Sequence, residues 1–261
     1  MATVAVPQCA VDDLDVETNL TELADRTARL DATVDVALFP EYALTGFVAD
    51  ERVESVALVR DGPELDTVRE TARTNDVALL VGFVEREESD YYNATAYVEP
   101  NGETTVYRKR HLWGGERSVL TPGNERVIVE TPIGRTGILT CYDLNFVAES
   151  AALTRERVDA LFVTGAWPAT HSENWRLLLR ARALDGVRWV VGAGRTGARR
   201  VPGTVPLDYA GRSAVVRPDG TVAAATNRDE RTLVAELDPD VLAEQRAFIP
   251  VYEEPVDTDT K

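Results

Sequence analysis

The chain has 261 residues, 44% of them hydrophobic, which is enough to bury a sizeable core and excludes a disordered chain. Acidic residues outnumber basic ones 44 to 28, giving a net charge of −16; this argues against nucleic acid or an anionic membrane as partner, since both need basic patches. No stretch approaches 18 apolar residues, so no membrane span is expected, and two cysteines make no disulfide framework.

Strand-like and helix-like segments alternate along the chain. "TVAVPQCA" (3–10) reads as a strand. From Val16, the residues Leu20, Leu23, Thr27 and Leu30 recur at helical spacing and predict an amphipathic helix. "VDVALFPEY" (34–42) is a short apolar run of the kind found in buried strands. Pro63 opens a second helix with Leu65, Val68 and Ala72 on one face, and "DVALLVGFVERE" (76–87) is a third strand. Two hairpins follow, 91–110 around Pro-Asn-Gly and 126–143 around Pro132-Ile133-Gly134. A helix is expected from Val147 to Arg157, a strand over 159–167, and a helix capped by Ser172 whose inner face holds Trp175, Leu178, Leu179 and Ala183. A strand at 188–197, a hairpin at 211–226, a strand at 231–238 and a short helix after Pro239 complete the pattern, with about 251–261 expected to fray. No linker or internal repeat divides residues 1–261, so the reading is one α/β domain with helices packed outside sheet.

The N-terminal "MATVAVPQCAVDD" has neither a basic region nor a long apolar one, so a cytoplasmic location is expected. The basic residues comprise 26 Arg and 2 Lys. Abundant acid with scarce lysine resembles proteins of salt-loving microbes, whose molar internal salt shortens the Debye length to about 3 Å.

Three positions invite chemistry. Cys141, in "GILTCYDLNF", follows a strand-like run at a point where the chain should turn; such a turn can present a side chain beside free backbone N–H groups. A buried, inert thiol is the other reading, and it is the one retained for Cys9. Lys109, in "VYRKRHLW", is the sole lysine before the C-terminal residue in a chain that otherwise uses arginine. A compact ammonium there would lower a neighbouring thiol's pKa or hold an oxyanion, unless it is a chance surface lysine. Glu41, in "VALFPEYALTGF", is either solvated or held in an apolar site where desolvation would make it a better base. His111 falls on the same face as Lys109 if that segment is extended, so chemistry alone leaves a Cys141–His111 dyad open. His171 is the only other histidine. Zinc-type spacing is absent, and "GAGRTG" (192–197) reads as a turn and not a dinucleotide loop.

Taken together, "FPEYALTGF", "YRKRHLW" and "GILTCYDLNF" resemble the nitrilase superfamily of carbon–nitrogen hydrolases, which use a Glu–Lys–Cys triad in this chain order. The resemblance extends through "LTPGN" (120–124), "WPATHSENWRLLLRARALDG" (167–186) and "GRSAVVRPDG" (211–220), covering roughly residues 3–250. It implies a four-layer α-β-β-α sandwich paired into a homodimer or larger homo-oligomer, with no metal and no organic cofactor. It carries the family's base, lysine and nucleophile onto Glu41, Lys109 and Cys141, and a second glutamate onto Glu116. The implied reaction attacks an amide carbon with Cys141 while Lys109 and the Tyr142 N–H hold the oxyanion; Trp113 and Trp167 are candidates to line the pocket or to pack in the core. Tyr142-Asp143 resembles the amidase branches, where nitrilases have Trp-Glu, and the stretch from Trp167 is most similar to omega-amidases, which cleave terminal amides of small keto or carboxylic acids. Their CYDxRF pattern is broken by Asn145 in place of arginine, which leaves the substrate's acyl group open. The implied activity is ammonia release from a small amide. N-carbamoyl amine or amino-acid hydrolysis is the alternative, and nitrile hydrolysis or a non-catalytic binding protein on the same fold is less favoured.

Overall fold

A computed structural model describes residues 1–252. The strands are β1 (Ala2–Gln8), β2 (Val36–Leu38), β3 (Ala78–Glu87), β4 (Asp90–Val98), β5 (Thr104–Arg108), β6 (Ile128–Thr131), β7 (Gly134–Thr140), β8 (Ala160–Gly165), β9 (Trp189–Gly194), β10 (Ala198–Arg199), β11 (Leu207–Asp208), β12 (Ala214–Val216), β13 (Val222–Ala225) and β14 (Arg231–Leu237). The helices are α1 (Val16–Ala28), α2 (Pro63–Asn75), α3 (Glu116–Val119), α4 (Val147–Arg155), α5 (Ser172–Leu184) and α6 (Pro239–Phe248). Two six-stranded sheets form, ordered β14-β1-β2-β3-β4-β5 and β13-β12-β9-β8-β7-β6, and β10-β11 is a separate hairpin.

Alternation along the strands builds the layers. Ala5, Ala37, Leu79 and Val81 face one way and pack with Leu23 of α1 and Leu65, Val68 and Ala72 of α2. Their neighbours Val4, Val6, Leu38 and Leu80 face the other way and join a core containing Ile138, Phe162 and Val191 of the second sheet with Leu153 of α4 and Trp175 and Leu179 of α5. The order is therefore helix, sheet, sheet, helix, the α-β-β-α sandwich that the family resemblance implied. Between the sheets, the hydroxyls of Thr95, Thr140 and Thr164 bond to one another at 3.1–3.2 Å, so these buried polar groups satisfy themselves.

Strands β1, β2 and β3 run parallel, as do β7, β8 and β9. Since β4 is antiparallel to both β3 and β5, the C-terminal end of β5 lies at the same edge as those of β2 and β3. Chain segments leaving the C-terminal ends of parallel strands are where open α/β sheets bind ligands, and here that edge carries the residues following β2, β5, β7 and β8.

Several expectations are corrected. The strand expected over 34–42 stops at Leu38, because Pro40 ends the ladder and Tyr42 takes a left-handed φ of 59° in a tight turn. Gly82 of β3 accommodates that turn; a Cβ there would sit 2.5 Å from the Tyr42 nitrogen and 2.8 Å from the Glu41 Cα. Ser172 does not cap α5: it is the first helical residue, and His171 at the cap position makes no capping bond. The hairpin β10-β11 and the short helix α3 were not foreseen. Of the tail expected to fray, 253–261 lie outside the described residues, whereas the Tyr252 hydroxyl donates to the Gly186 carbonyl at 2.6 Å. No helix among the described residues is long and apolar enough to cross a membrane.

Candidate active site

Four strand ends bring the candidate residues together. The turn after β2 carries Glu41, 2% exposed, so the solvated reading fails. Lys109 follows β5 directly and is 1% exposed. Its backbone is held by Gly123, whose N–H donates to the Lys109 carbonyl at 2.8 Å and whose missing Cβ would lie 2.2 Å from the Arg108 oxygen. Lys109 Nζ donates to Glu41 Oε1 at 2.9 Å and to both carboxylate oxygens of Glu116, each at 2.9 Å. Glu116 is oriented by its own loop: the Trp113 N–H donates to its Oε2 at 2.6 Å, and Tyr42 donates its hydroxyl proton to Oε1.

Asn93 of β4 is the hub that sequence reasoning missed. Its Nδ2 lies 2.7 Å from Glu41 Oε1, 2.8 Å from the Tyr42 hydroxyl and 2.9 Å from Glu116 Oε1. Its Oδ1 has no partner; turning the amide round would point that oxygen at two carboxylates, so the orientation is electrostatically forced. The second oxygen of Glu41 accepts the Ala166 N–H at 2.7 Å, a backbone donor just past β8. Nothing in the local sequence around Asn93 or Ala166 marks these contacts, which span 52 and 125 residues.

Cys141 sits on the turn after β7 with a left-handed φ of 49°. A non-glycine residue pays for this conformation, and it persists where surroundings enforce it. Asp143 does so here: its Oδ2 accepts the Thr140 N–H at 3.0 Å and the Tyr107 hydroxyl at 2.7 Å, and its Oδ1 accepts the His111 N–H at 3.0 Å. Cys141 is 9% exposed and lines the cavity with Glu41, Lys109, Glu116 and Tyr42.

The charges balance unevenly. Burial works against the Lys109 ammonium, but the carboxylates of Glu116 and Glu41 outweigh it and hold the pKa well above the usual lysine range. Burial likewise opposes the Glu116 charge, yet Lys109, the Trp113 N–H and the Tyr42 hydroxyl together keep it below the usual glutamate value. Cys141 goes the other way: burial first, then the Glu41 charge, push its pKa well above that of a free thiol, and Lys109 does not reverse this. Lys109 does pull the thiol pKa down, as expected, but burial and Glu41 outweigh it, so the net direction favours the protonated thiol. Asp143 is raised to about 6, chiefly by burial.

His111 is not part of this cluster. Strand β5 ends at Arg108, so the alternation that would have aligned His111 with Lys109 is lost. Its ring stacks on Phe146 and its Nε2 lies 3.0 Å from Glu149 Oε1. Cys9 is buried, its pKa pushed up to about 12 by desolvation, and both cysteines are free thiols.

Two lobes of one cleft meet at Trp113, Cys141 and Ala166. The larger, about 220 Å³, is lined by Tyr142, Asn145, Trp167, His171 and Asn174. The smaller, about 120 Å³, is closed by Phe47, Arg199, Leu207 and Tyr209. Trp113 is 49% exposed at the rim, while Trp167 is buried against Trp175 and serves core and cavity together. The "GAGRTG" segment is the end of β9 and a turn: Arg195 is buried, paired with both oxygens of Asp13 at 2.9 and 2.8 Å, and lies 4.1 Å over the Tyr209 ring.

Known proteins resemble this chain over most of its length. An (R)-stereoselective amidase of a Pseudomonas species is 34% identical over 239 residues, 92% of this chain and 86% of its own length. The Escherichia coli omega-amidase YafV is 34% identical over 84% of each chain. A crystallised carbon-nitrogen hydrolase superfamily protein from Xanthomonas campestris, with an arsenic adduct in its active site, superimposes with a TM-score of 0.87 at 28% identity, covering 95% of both chains. Residues 3–247 match the carbon-nitrogen hydrolase sequence profile, and with a buried Glu–Lys pair and a cysteine turn at the strand ends, the chain belongs to the carbon-nitrogen hydrolase family.

Proposed function

We propose that the protein hydrolyses a small linear amide through a Cys141 thioester and releases ammonia. The observation that carries this reading is the Lys109 ammonium bonded at 2.9 Å to Glu41 in a buried cleft that Cys141 also lines. The amidase names of the Pseudomonas and Escherichia relatives support it.

In this mechanism Sγ attacks the amide carbon as its proton passes to Glu41, so a thiol that is neutral at rest becomes a nucleophile only in the encounter with substrate. The oxyanion is held by Lys109 Nζ and the Tyr142 N–H. Glu41 returns the proton to the amide nitrogen, the C–N bond breaks and ammonia leaves. Water then gives a proton to Glu41 and attacks the thioester; the C–S bond breaks, the acid departs, and the proton returns to sulfur. Glu116 keeps Lys109 charged and aimed. Tyr142, Trp113 and Trp167 contact the substrate.

The same reading assigns the outer helix face to subunit pairing, where Val147 of α4 and Leu177 of α5 are each 65% exposed. The net charge of −16 and the scarcity of lysine fit a protein adapted to high salt, and two free cysteines fit a reducing cytoplasm.

The test is an ammonia-release screen of small amides, carbamoyl compounds and nitriles at high salt, with Cys141→Ala as control. Ammonia from amides, lost in the variant, is expected. Ammonia from nitriles or carbamoyl compounds alone overturns the amidase reading.

A further inference from the structure

Three threonine hydroxyls meet in the layer between the two sheets. Thr95 on β4 belongs to the first sheet, and Thr140 and Thr164 are cross-strand partners on β7 and β8 of the second. All three are fully buried, with 3.1 Å between the hydroxyls of Thr95 and Thr140 and 3.2 Å between those of each other pair. The layer they occupy is built mainly of apolar side chains, among them Leu80, Ile138 and Phe162. Valine would fill the same space without a hydroxyl, so three hydroxyls converging there answer a need other than packing.

The ring is closed. Three hydroxyls carry three protons, enough for three bonds, and removing one hydroxyl leaves its two neighbours with a single bond and a stranded proton. Each corner also sits one or two residues from a group of the site. Thr140 precedes Cys141, and its oxygen accepts the Asp143 N–H across the turn. Thr164 lies two residues before Ala166, whose N–H holds Glu41. Thr95 lies two residues after Asn93, on the same face of β4. Its ladder partners are Gly82, against which the Glu41 turn packs, and Tyr107, which donates to Asp143. Neither lobe of the cleft is lined by any of the three.

We propose that this hydroxyl triangle positions the nucleophile. It holds the sheet that carries the Cys141 turn at a fixed height against the sheet that carries Glu41, Asn93 and Lys109. It therefore sets how fast sulfur attacks and leaves substrate binding alone. Thr95, Thr140 and Thr164 are positioning residues that act through Cys141 and Glu41. This rests on the amide-hydrolase reading. The scale is large because a misplacement of about 1 Å between reacting groups can cost about 100-fold in rate.

The experiment takes the best amide from the ammonia screen and compares wild type with Thr95→Val, Thr95→Ser and a control, Thr136→Val, which breaks the 2.9 Å hydroxyl pair of Thr131 and Thr136 at the other end of β7. Thr95→Val should lower kcat about 10- to 100-fold with KM unchanged. Thr95→Ser should restore most of the rate, and Thr136→Val should keep the wild-type kcat. A wild-type kcat in Thr95→Val, no recovery in Thr95→Ser, or an equal drop in Thr136→Val overturns the proposal. If Thr95→Val does not fold, Thr164→Val replaces it, breaking the ring from the other sheet; failure of both to fold shows a purely structural role and refutes the proposal. If no amide yields ammonia, the amidase reading has failed on its own, and alkylation by iodoacetamide, read at the Cys141 peptide, still decides the matter. Burial and the Glu41 charge hold the thiol's pKa up, so a turn that shifts away from them should be alkylated at lower pH. A pH profile that moves down in Thr95→Val and returns in Thr95→Ser upholds the triangle, and one that does not move refutes it.

Discussion

Arg182 of α5 donates from Nε at 3.1 Å and from Nη2 at 2.9 Å to one acceptor, the carbonyl of Leu144, three residues past Cys141. A helix on the outer layer thereby grips the turn that carries Cys141, and Arg182 is itself steadied by Asp185 at 2.7 Å. Lysine at this position could reach the carbonyl but not fork across it. Arg182→Lys should lower kcat with little change in KM, because the turn loses definition while the cleft walls remain. Stability should fall by about 1–3 kcal/mol, the usual cost of a buried hydrogen bond left unmade. Steady-state kinetics and thermal unfolding check both outcomes; unchanged kcat would show that the grip is only structural.

Lys109→Arg should lose activity although charge is kept. The ammonium fits between Glu41 and the two oxygens of Glu116 in a space with almost no exposure. A planar guanidinium needs more room and directs its donors elsewhere. Loss of one oxyanion donor costs about 10²- to 10³-fold in rate, and single-turnover measurement of acyl transfer would read it directly. Near-normal acylation by the arginine variant would contradict the assigned role.

Asn93→Ala removes the donor shared by Glu41, Glu116 and Tyr42. The carboxylates then repel with less compensation, and the protein should lose about 1–3 kcal/mol. Asn93→Asp should be worse at neutral pH, since it adds a third carboxylate, and should recover in part as the solution is acidified. Urea titration at pH 5 and pH 8 distinguishes them; equal effects of the two substitutions at both pH values would argue against this electrostatic account.

Asp143 predicts a pH signature. Its folded pKa of about 6 lies above the usual aspartate value of 3.8, so the folded protein keeps a proton that the unfolded chain releases. The stability this provides is complete below about pH 4 and is lost as pH rises through about 6. The difference in unfolding free energy between wild type and Asp143→Asn should therefore change across that window and level off above it. A difference that is flat from pH 4 to 7 would refute the shift.

Salt should stabilise the fold. At a net charge of −16, repulsion extends about 8 Å at physiological ionic strength and about 3 Å at 1 M. The unfolding temperature should rise between 0.1 and 2 M potassium chloride, and full stability in dilute buffer would remove the halophilic reading.

Local patterning disclosed strands and helices, such as the helical spacing in α1, and an α/β domain with helices outside sheet; the four layers and the grouping of Glu41, Lys109 and Cys141 came from the resemblance carried by the short motifs around those three residues. It did not disclose Asn93, Tyr42 or the Ala166 N–H, whose partners lie on other strands and leave no mark on neighbouring residues. His111 misled for a related reason, since its side-chain direction depended on where β5 stopped. The net direction of the thiol pKa was not legible either, because burial and the Glu41 charge, both products of tertiary structure, outweigh the lowering by Lys109.

The proton on Cys141 has a consequence for durability. Peroxide and stray electrophiles attack the anionic form of sulfur, climbing toward sulfenic and sulfinic acids. A centre that withholds that form until a true reactant arrives stays unspoiled between turnovers, so inactivation by hydrogen peroxide should be slow in the idle protein.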